Sequence, residues 1–274
     1  MYASTKGLRA ALAAAALAGF STFATPTLAS PINIGGIVIN TGAINLSLGS
    51  VFEDRVLALG SSLSGIGEIT TVQTVPGAIT TWSHGQNGVE LTYAFGGYTV
   101  EAIVPGLVPG TGTILFSGGN AQFYVDPSQD FTESSGLVAD LASATNGTLW
   151  LDVVSHSSTT CGALGITCFS GPSTPITLTS TVNSTTLAGV TAGSGTQEFD
   201  VVGGLAGFNF NSNGLISGAD IQANFSFSDV GASATDFDLF GSVDARGLAI
   251  PEPTTLALFG AGLLGLGFIK RRRG

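Results

Sequence analysis

Val89-Glu90-Leu91-Thr92-Tyr93-Ala94-Phe95-Gly96-Gly97-Tyr98-Thr99-Val100-Glu101-Ala102-Ile103-Val104 carries the pattern on which the fold class turns. Val89, Leu91, Tyr93 and Phe95 share one face of an extended chain, with Glu90 and Thr92 on the other. After Gly96-Gly97 the apolar positions resume at Tyr98, Val100, Ala102 and Val104, against Thr99 and Glu101. A period of two is what a strand with one buried face requires. Paired glycines between two such runs predict a β-hairpin turning at Gly96-Gly97.

The same alternation extends outward along the chain. Ala121 to Val125 reads as a strand, as do Leu149, Leu151 and Val153 around Trp150 and Asp152, and Ile176 to Val182 between threonines. Phe199 with Val201, Phe208-Asn209-Phe210-Asn211, Phe225-Ser226-Phe227-Ser228 and Phe237-Asp238-Leu239 continue it. Strands this short and this regularly spaced predict an all-β domain, a β-sandwich or jelly roll. Phenylalanine supplies 17 of the aromatics against four Tyr and two Trp, which suits a dry core because Phe has no polar group to satisfy. One helix is expected in the body, Ser134 to Thr145, with Leu137, Val138 and Leu141 on one face.

Charge is distributed unevenly. Lys6 and Arg9 lie at the N-terminus and Lys270-Arg271-Arg272-Arg273 at the C-terminus, so Arg55 and Arg246 are the only basic residues between Ser30 and Ile250. That stretch holds every acidic residue but Glu252, and its net charge is −15 where the whole chain carries −10. Such a surface repels nucleic acid and anionic lipid, so neither is expected as a partner. The 40 glycines and abundant Ser, Thr and Asn favour turns and pleated edges over helices.

Both ends read as targeting segments. Lys6 and Arg9, then apolar Ala10 to Phe20, then Thr27-Leu28-Ala29 have the order of a secretory signal peptide cut after Ala29, which makes the secretory translocon a partner. At the other end Pro251-Glu252-Pro253 precedes a mostly apolar run, Thr254 to Ile269, and then the basic residues. A helix of that length rises ~24 Å against a hydrocarbon core of ~30 Å, a short span that thinning or snorkelling accommodates. The basic tail predicts a cytoplasmic C-terminus and an outside body. The chain thus divides into 1–29, an exported domain 30–250, and 251–274.

Pro-Glu-Pro, a Gly- and Leu-rich span and a terminal Arg cluster resemble the PEP-CTERM sorting signal of Gram-negative bacteria. Over Pro251 to Gly274 the resemblance implies recognition by exosortase, a membrane-embedded cysteine transpeptidase, with cleavage near Pro251-Glu252-Pro253 and Arg271, Arg272 and Arg273 as the stop. It also implies transient inner-membrane anchoring through 254–269, then a place at the cell surface or in an exopolysaccharide-rich biofilm or floc matrix. Gly203-Gly204-Leu205-Ala206 and Gly241 to Gly247 are similar to segments of other PEP-CTERM ectodomains of unassigned role.

Candidate chemistry in the body is sparse. Cys161 and Cys168 enclose a small loop and, in an oxidising compartment, are expected to form a disulfide. Asn209-Phe210-Asn211-Ser212-Asn213-Gly214 followed by Asp220 has the spacing of a calcium loop, with Asn209, Asn211, Asn213 and Asp220 as ligands; only Asp220 is charged, so the site would be weak. The same residues fit a hairpin turning at Asn213-Gly214. Asp126 with Asp130, and Asp236 with Asp238, are further oxygen pairs that also fit solvated turns or strand faces. No cofactor other than calcium is expected.

His84 and His156 are the only histidines, and neither a nucleophile elbow nor a zinc-protease motif occurs. The sequons at Asn45, Asn146, Asn183 and Asn224 reflect composition. A non-enzymatic surface or matrix protein is therefore the leading expectation. The alternative is a carbohydrate-binding or calcium-assisted adhesion module, in which exposed Trp82, Trp150, Tyr93 and Tyr98 would stack on sugars. A secreted glycan hydrolase is the third reading and needs two convergent carboxylates.

Overall fold

The computed structural model of the chain describes residues 31–251, apart from 134, 158 and 231–236. The predicted signal peptide, Glu252, Pro253, the apolar run 254–269, the basic tail and Asp236 lie outside these residues. Among the described residues no helix is long and apolar enough to cross a membrane.

Fifteen strands and two short helices follow in order. They are β1 (Ile32–Ile34), β2 (Ile37–Ile39), β3 (Gly42–Glu53), β4 (Ser62–Ile69), β5 (Thr71–Thr74), β6 (Thr80–Ser83), β7 (Glu90–Pro105), β8 (Gly112–Asp126), α1 (Leu137–Thr145), β9 (Thr148–Ser155), β10 (Thr159–Thr160), β11 (Pro175–Ile176), β12 (Leu178–Val182), β13 (Ala192–Gly203), α2 (Gly207–Phe210), β14 (Ile221–Asp229) and β15 (Leu239–Ala249). The class is all-β and antiparallel, as the alternation predicts.

The arrangement differs from two facing sheets. β3, β4, β7, β8, β12, β13, β14 and β15 pair in that order, and β15 pairs back onto β3 from Leu239↔Glu53 to Ala249↔Gly42. The ladder closes on itself as an antiparallel barrel. β8 and β13 each take two partners in succession along one edge. At one pole β12 bridges them, meeting Phe116 and Gln197 through Leu178; at the other β9 bridges them, meeting Ala121 and Val201 through Val153. Short β12 could not span the wall alone, and β9 completes it.

The predicted hairpin at Gly96-Gly97 is not formed. β7 runs straight through, and the turn lies at Pro105–Gly112, where Gly106 N–H donates to Thr111 O. Gly96-Gly97 is instead where inside and outside exchange. Tyr93 and Phe95 line the interior before it and Tyr98 after it. β8 makes the matching exchange at Gly118-Gly119, with Ala121 and Phe123 inside on one side and Ile114 and Phe116 on the other. Gly97, Gly118 and Gly119 all have positive φ, a backbone that side chains resist. A Cβ on Gly119 would also stand 2.0 Å from the Tyr98 ring, so that glycine admits the ring as well as the bend.

One pole is plugged by the β1–β2 hairpin and α2. The β1–β2 hairpin buries Ile37 and Ile39 against Trp82 and Trp150, and Trp150 Nε1 donates to Ile34 O at 3.0 Å. Phe210 of α2 meets Trp150 edge-on at 5.5 Å. Phe208-Asn209-Phe210 is thus a helical turn rather than the expected strand.

α1 exists but its faces are reversed from an apolar-inward helix. Leu137, Val138 and Leu141 are exposed, Val138 at 84%, while Asp140, Ser143 and Ala144 are buried. Ala144 packs with Phe52, Ile66 and Phe237 on the outside of the wall, its carbonyl accepts Thr92 Oγ1 at 2.8 Å, and Asp140 Oδ1 accepts Ser135 N–H at 2.9 Å. Small and hydrogen-bonded groups let the helix approach the strands closely.

The paired kinks give a test. Gly119→Ala is expected to lower stability by about 2 kcal/mol more than Gly110→Ala. Both glycines have positive φ, but only Gly119 faces a ring, whereas nothing lies within 4 Å of a Cβ at Gly110. Urea-unfolding midpoints of the two variants measure the difference.

Candidate functional site

Closure determines which predicted residues can meet a ligand. Trp82 and Trp150 are both 0% exposed, and Tyr93 and Tyr98 are buried. Trp82 Nε1 donates to Gln86 O, and Tyr98 Oη accepts Ser155 Oγ at 3.2 Å and Gln197 Nε2. These rings are core with satisfied polar atoms, and none offers a sugar a face. The expected stacking platform is absent at these four positions.

The 209–220 segment forms neither a hairpin nor a cation loop. Asp220, buried beside the strand end, accepts Ser212 N–H and Asn213 N–H at 2.6 Å on Oδ1 and Val201 N–H at 2.8 Å on Oδ2. Asn211 Nδ2 donates to Val201 O, and Asn213 takes positive φ at the bend. Asn209 Nδ2 donates to Ile250 O at 3.1 Å while Ile250 N–H donates to Asn209 O at 2.8 Å. The Asx side chains organise backbone here, and the one carboxylate already has its oxygens filled by N–H donors.

The disulfide is present between Cys161 and Cys168. Closing so short a loop contributes about 2.5 kcal/mol by chain entropy. The cystine packs on Ala102, Leu115 and Ile176 outside β7 and β8. Glu101 secures the loop by accepting Ser170 N–H, Ser170 Oγ and Ser117 Oγ. Burial alone would push the Glu101 carboxyl up, but those three hydrogen bonds outweigh it and hold it below the usual value.

The histidines lie apart, each with a carboxylate. His156 Nδ1 is 2.9 Å from both Asp200 oxygens, beside a polar groove of about 220 Å³ lined by Thr159, Thr177, Thr179, Glu198 and Gln222. His84 pairs with Glu68.

Glu68 and His84 belong to a place where several titratable groups converge. Glu90 opens β7 and Asp126 closes β8, directly opposite in the ladder. Ligand atoms of Glu90, Asp126 and Asp130 lie within 4.8 Å of one another, as do those of Glu68, His84 and Glu90. The pairing of Asp126 with Asp130 was visible in the sequence; Glu68, Glu90 and His84 were not linked to it. Glu90 reads as a solvent-facing strand residue, yet the 127–131 segment folds over it, with Asp130 N–H and Phe131 N–H donating to Oε1 at 3.2 Å. Burial pushes the Glu90 carboxyl up to about 7; those two donors pull it down, while Glu68 and Asp126 add to the rise. Burial likewise raises Glu68, opposed by His84.

Inside the barrel a cavity of about 70 Å³ is lined by Val51, Tyr93, Phe123, Phe199 and Phe225, with Glu53 among them. Burial in these apolar surroundings, with Asp54 adding, pushes the Glu53 carboxyl up to about 8. At neutral pH it is therefore a neutral acid.

The chain leaves the barrel at the pole that α2 plugs. β15 ends at Ala249, Ile250 is held by Asn209, and Pro251 is exposed. Residues 249–273 match the PEP-CTERM protein-sorting motif. The motif supports an exported surface protein sorted by exosortase, with a transient membrane anchor. No match is found among curated proteins or among solved structures, and likeness of the body to other ectodomains is not shown.

Glu53 gives a pH test. Its folded pKa lies above the unfolded value, so it costs nothing below pH 4.5 and destabilises progressively as pH rises toward about 8. Glu53→Gln is expected to leave the melting temperature near pH 5 almost unchanged and to raise it at pH 9. Melts across that range measure the effect.

Proposed function

We propose that this chain is a non-enzymatic structural component of an extracellular polymer layer, delivered through the secretory translocon and released or attached after exosortase cuts near Pro251-Glu252-Pro253. The observation that carries the reading is the sorting motif at residues 249–273, joined without a spacer to a closed barrel. Exopolysaccharide is the proposed surrounding partner, and biofilm or floc matrix the proposed setting.

Several features support a role without chemistry. Of the carboxylates that converge, Glu90 and Asp126 are buried, which does not suit acid–base work on an external glycan. The cavity lies inside the wall and is mostly apolar. A lysine-free surface of net charge −15 favours solubility in a hydrated matrix over tight association with polyanions.

The test compares strains with and without exosortase. In its presence the mature protein is expected to lack the segment after the Pro-Glu-Pro, read by intact-mass spectrometry, and to fractionate with extracellular polymer. An Arg273-Gly274 end in both strains overturns the sorting step. Unchanged polymer association in a strain that makes no exopolysaccharide overturns the matrix role.

A further inference from the structure

Glu90 and Asp126 stand opposite each other across β7 and β8, 1% and 3% exposed. Like charges directly opposite in an antiparallel pair repel, and burial removes the water that would screen them. Such a pair persists with donors, a retained proton or positive charge to offset it. Glu90 has the N–H groups of Asp130 and Phe131. Asp126 has one donor, Ser128 N–H at 2.8 Å on Oδ1, and its Oδ2 is buried with no hydrogen-bond partner. Asp130, exposed and held by Asn146 Nδ2 at 3.1 and 3.3 Å, brings a third carboxylate to the same point.

No basic side chain of the body meets this group. Arg55 pairs with Asp229, and Arg246 lies on β15 opposite Gln222 and Asn45. The charges acting on Glu90 are those of Glu68 and Asp126, both negative. Among the described residues the nearby basic side chain is His84, and it is paired with Glu68.

We propose that Glu90, Asp126 and Asp130 bind a divalent, oxygen-seeking cation, calcium in the compartment to which the chain is exported. All three donors are carboxylate oxygens, the ligand type of calcium and magnesium. Calcium–oxygen distances of 2.3–2.6 Å place ligands on opposite sides of the ion about 4.6–5.2 Å apart, so oxygens within 4.8 Å of one another fit on one coordination shell. Asp130 at the surface leaves the remaining positions to water, which calcium tolerates in irregular geometry and magnesium does not. The neighbouring triad of Glu68, His84 and Glu90 contains a ring nitrogen and suits zinc better. Glu68 Oε1 of that triad is also buried without a hydrogen bond but stands against His84, whereas Asp126 Oδ2 has no such neighbour, which favours the all-oxygen group. With few protein ligands the dissociation constant falls at about 0.1–1 mM, the range of extracellular calcium modules.

The full chain in detergent, stripped with chelator, is titrated with CaCl₂, MgCl₂ and ZnCl₂ and followed by melting and calorimetry. Calcium at ten times its dissociation constant is expected to raise the melting temperature by about 3–5 °C. Magnesium is expected to do less. Asp130→Asn, at an exposed position, is expected to weaken calcium at least tenfold without loss of fold. Asp126→Asn is expected to raise the cation-free melting temperature, because it removes the repulsion, and to abolish the calcium response. Asp152→Asn, away from the group, retains it. No heat and no shift with calcium, a response to zinc alone, or a full calcium response in both Asp126→Asn and Asp130→Asn would overturn the assignment.

Discussion

The pairing of β15 with β3, from Leu239 against Glu53 to Ala249 against Gly42, makes a closed wall out of strands that would otherwise form an open sheet with two long edges. Open edges invite pairing with other chains, and an exported, glycine-rich, Phe-rich protein is exposed to that hazard while it folds. Closure removes the edges and also fixes an inside. Every strand must then present apolar residues on one face along its whole length. Where the wall curves, the alternation must slip, and glycine absorbs the slip on both partners at Gly96-Gly97 and Gly118-Gly119. Closure further traps Glu53 among aromatic rings, where water cannot stabilise its charge.

Much of this was legible from periodicity. Strand content, the absence of long helices from the body and the disulfide all followed from alternation, composition and cysteine spacing. The error at Gly96-Gly97 has a physical reason. A one-residue phase slip between apolar runs looks the same for a tight turn and for a kink in a continuous strand. The true turn, Pro105-Gly106-Leu107-Val108-Pro109-Gly110-Thr111-Gly112, carries the stronger proline and glycine signal. Had the hairpin been centred there, counting outward along both strands would have set Glu90 opposite Pro127, next to Asp126; the bulge between Val100 and Ala102 supplies the last residue of register. The misplaced turn and that bulge together hid the acidic group.

Other features were beyond any local reading. Whether a tryptophan serves as core or platform depends on which segments cover it, and Trp150 is covered by Ile34 and Phe210, far away on either side in sequence. α1 shows the reverse. Its apolar stripe predicts burial, but the groove it occupies between β7 and the Phe52 patch admits only Ala144 and hydrogen-bonded Asp140 and Ser143. Close approach there outweighs the area that Leu137, Val138 and Leu141 would bury. The asparagines at 211 and 209, expected as calcium ligands, donate to the carbonyls of Val201 in β13 and of Ile250 respectively.

That last contact bears on how delivery and fold are joined. Asn209 clamps Ile250 from both its backbone and its side chain, so the ordered wall reaches the residue before Pro251. Trp150 ties Ile34 to the same pole, which brings the start and the end of the body together. A protease acting on an extended segment needs the chain free on both sides of the bond it cuts. Here β15 is laddered up to Ala249 and Ile250 is clamped, and proline at 251 cannot donate to continue the ladder. The clamp and the proline end the ordered ladder within the first residues of the sorting motif. Loss of the tail would then remove no strand from the barrel, because the closing pairs of β15 with β3 end at Ala249.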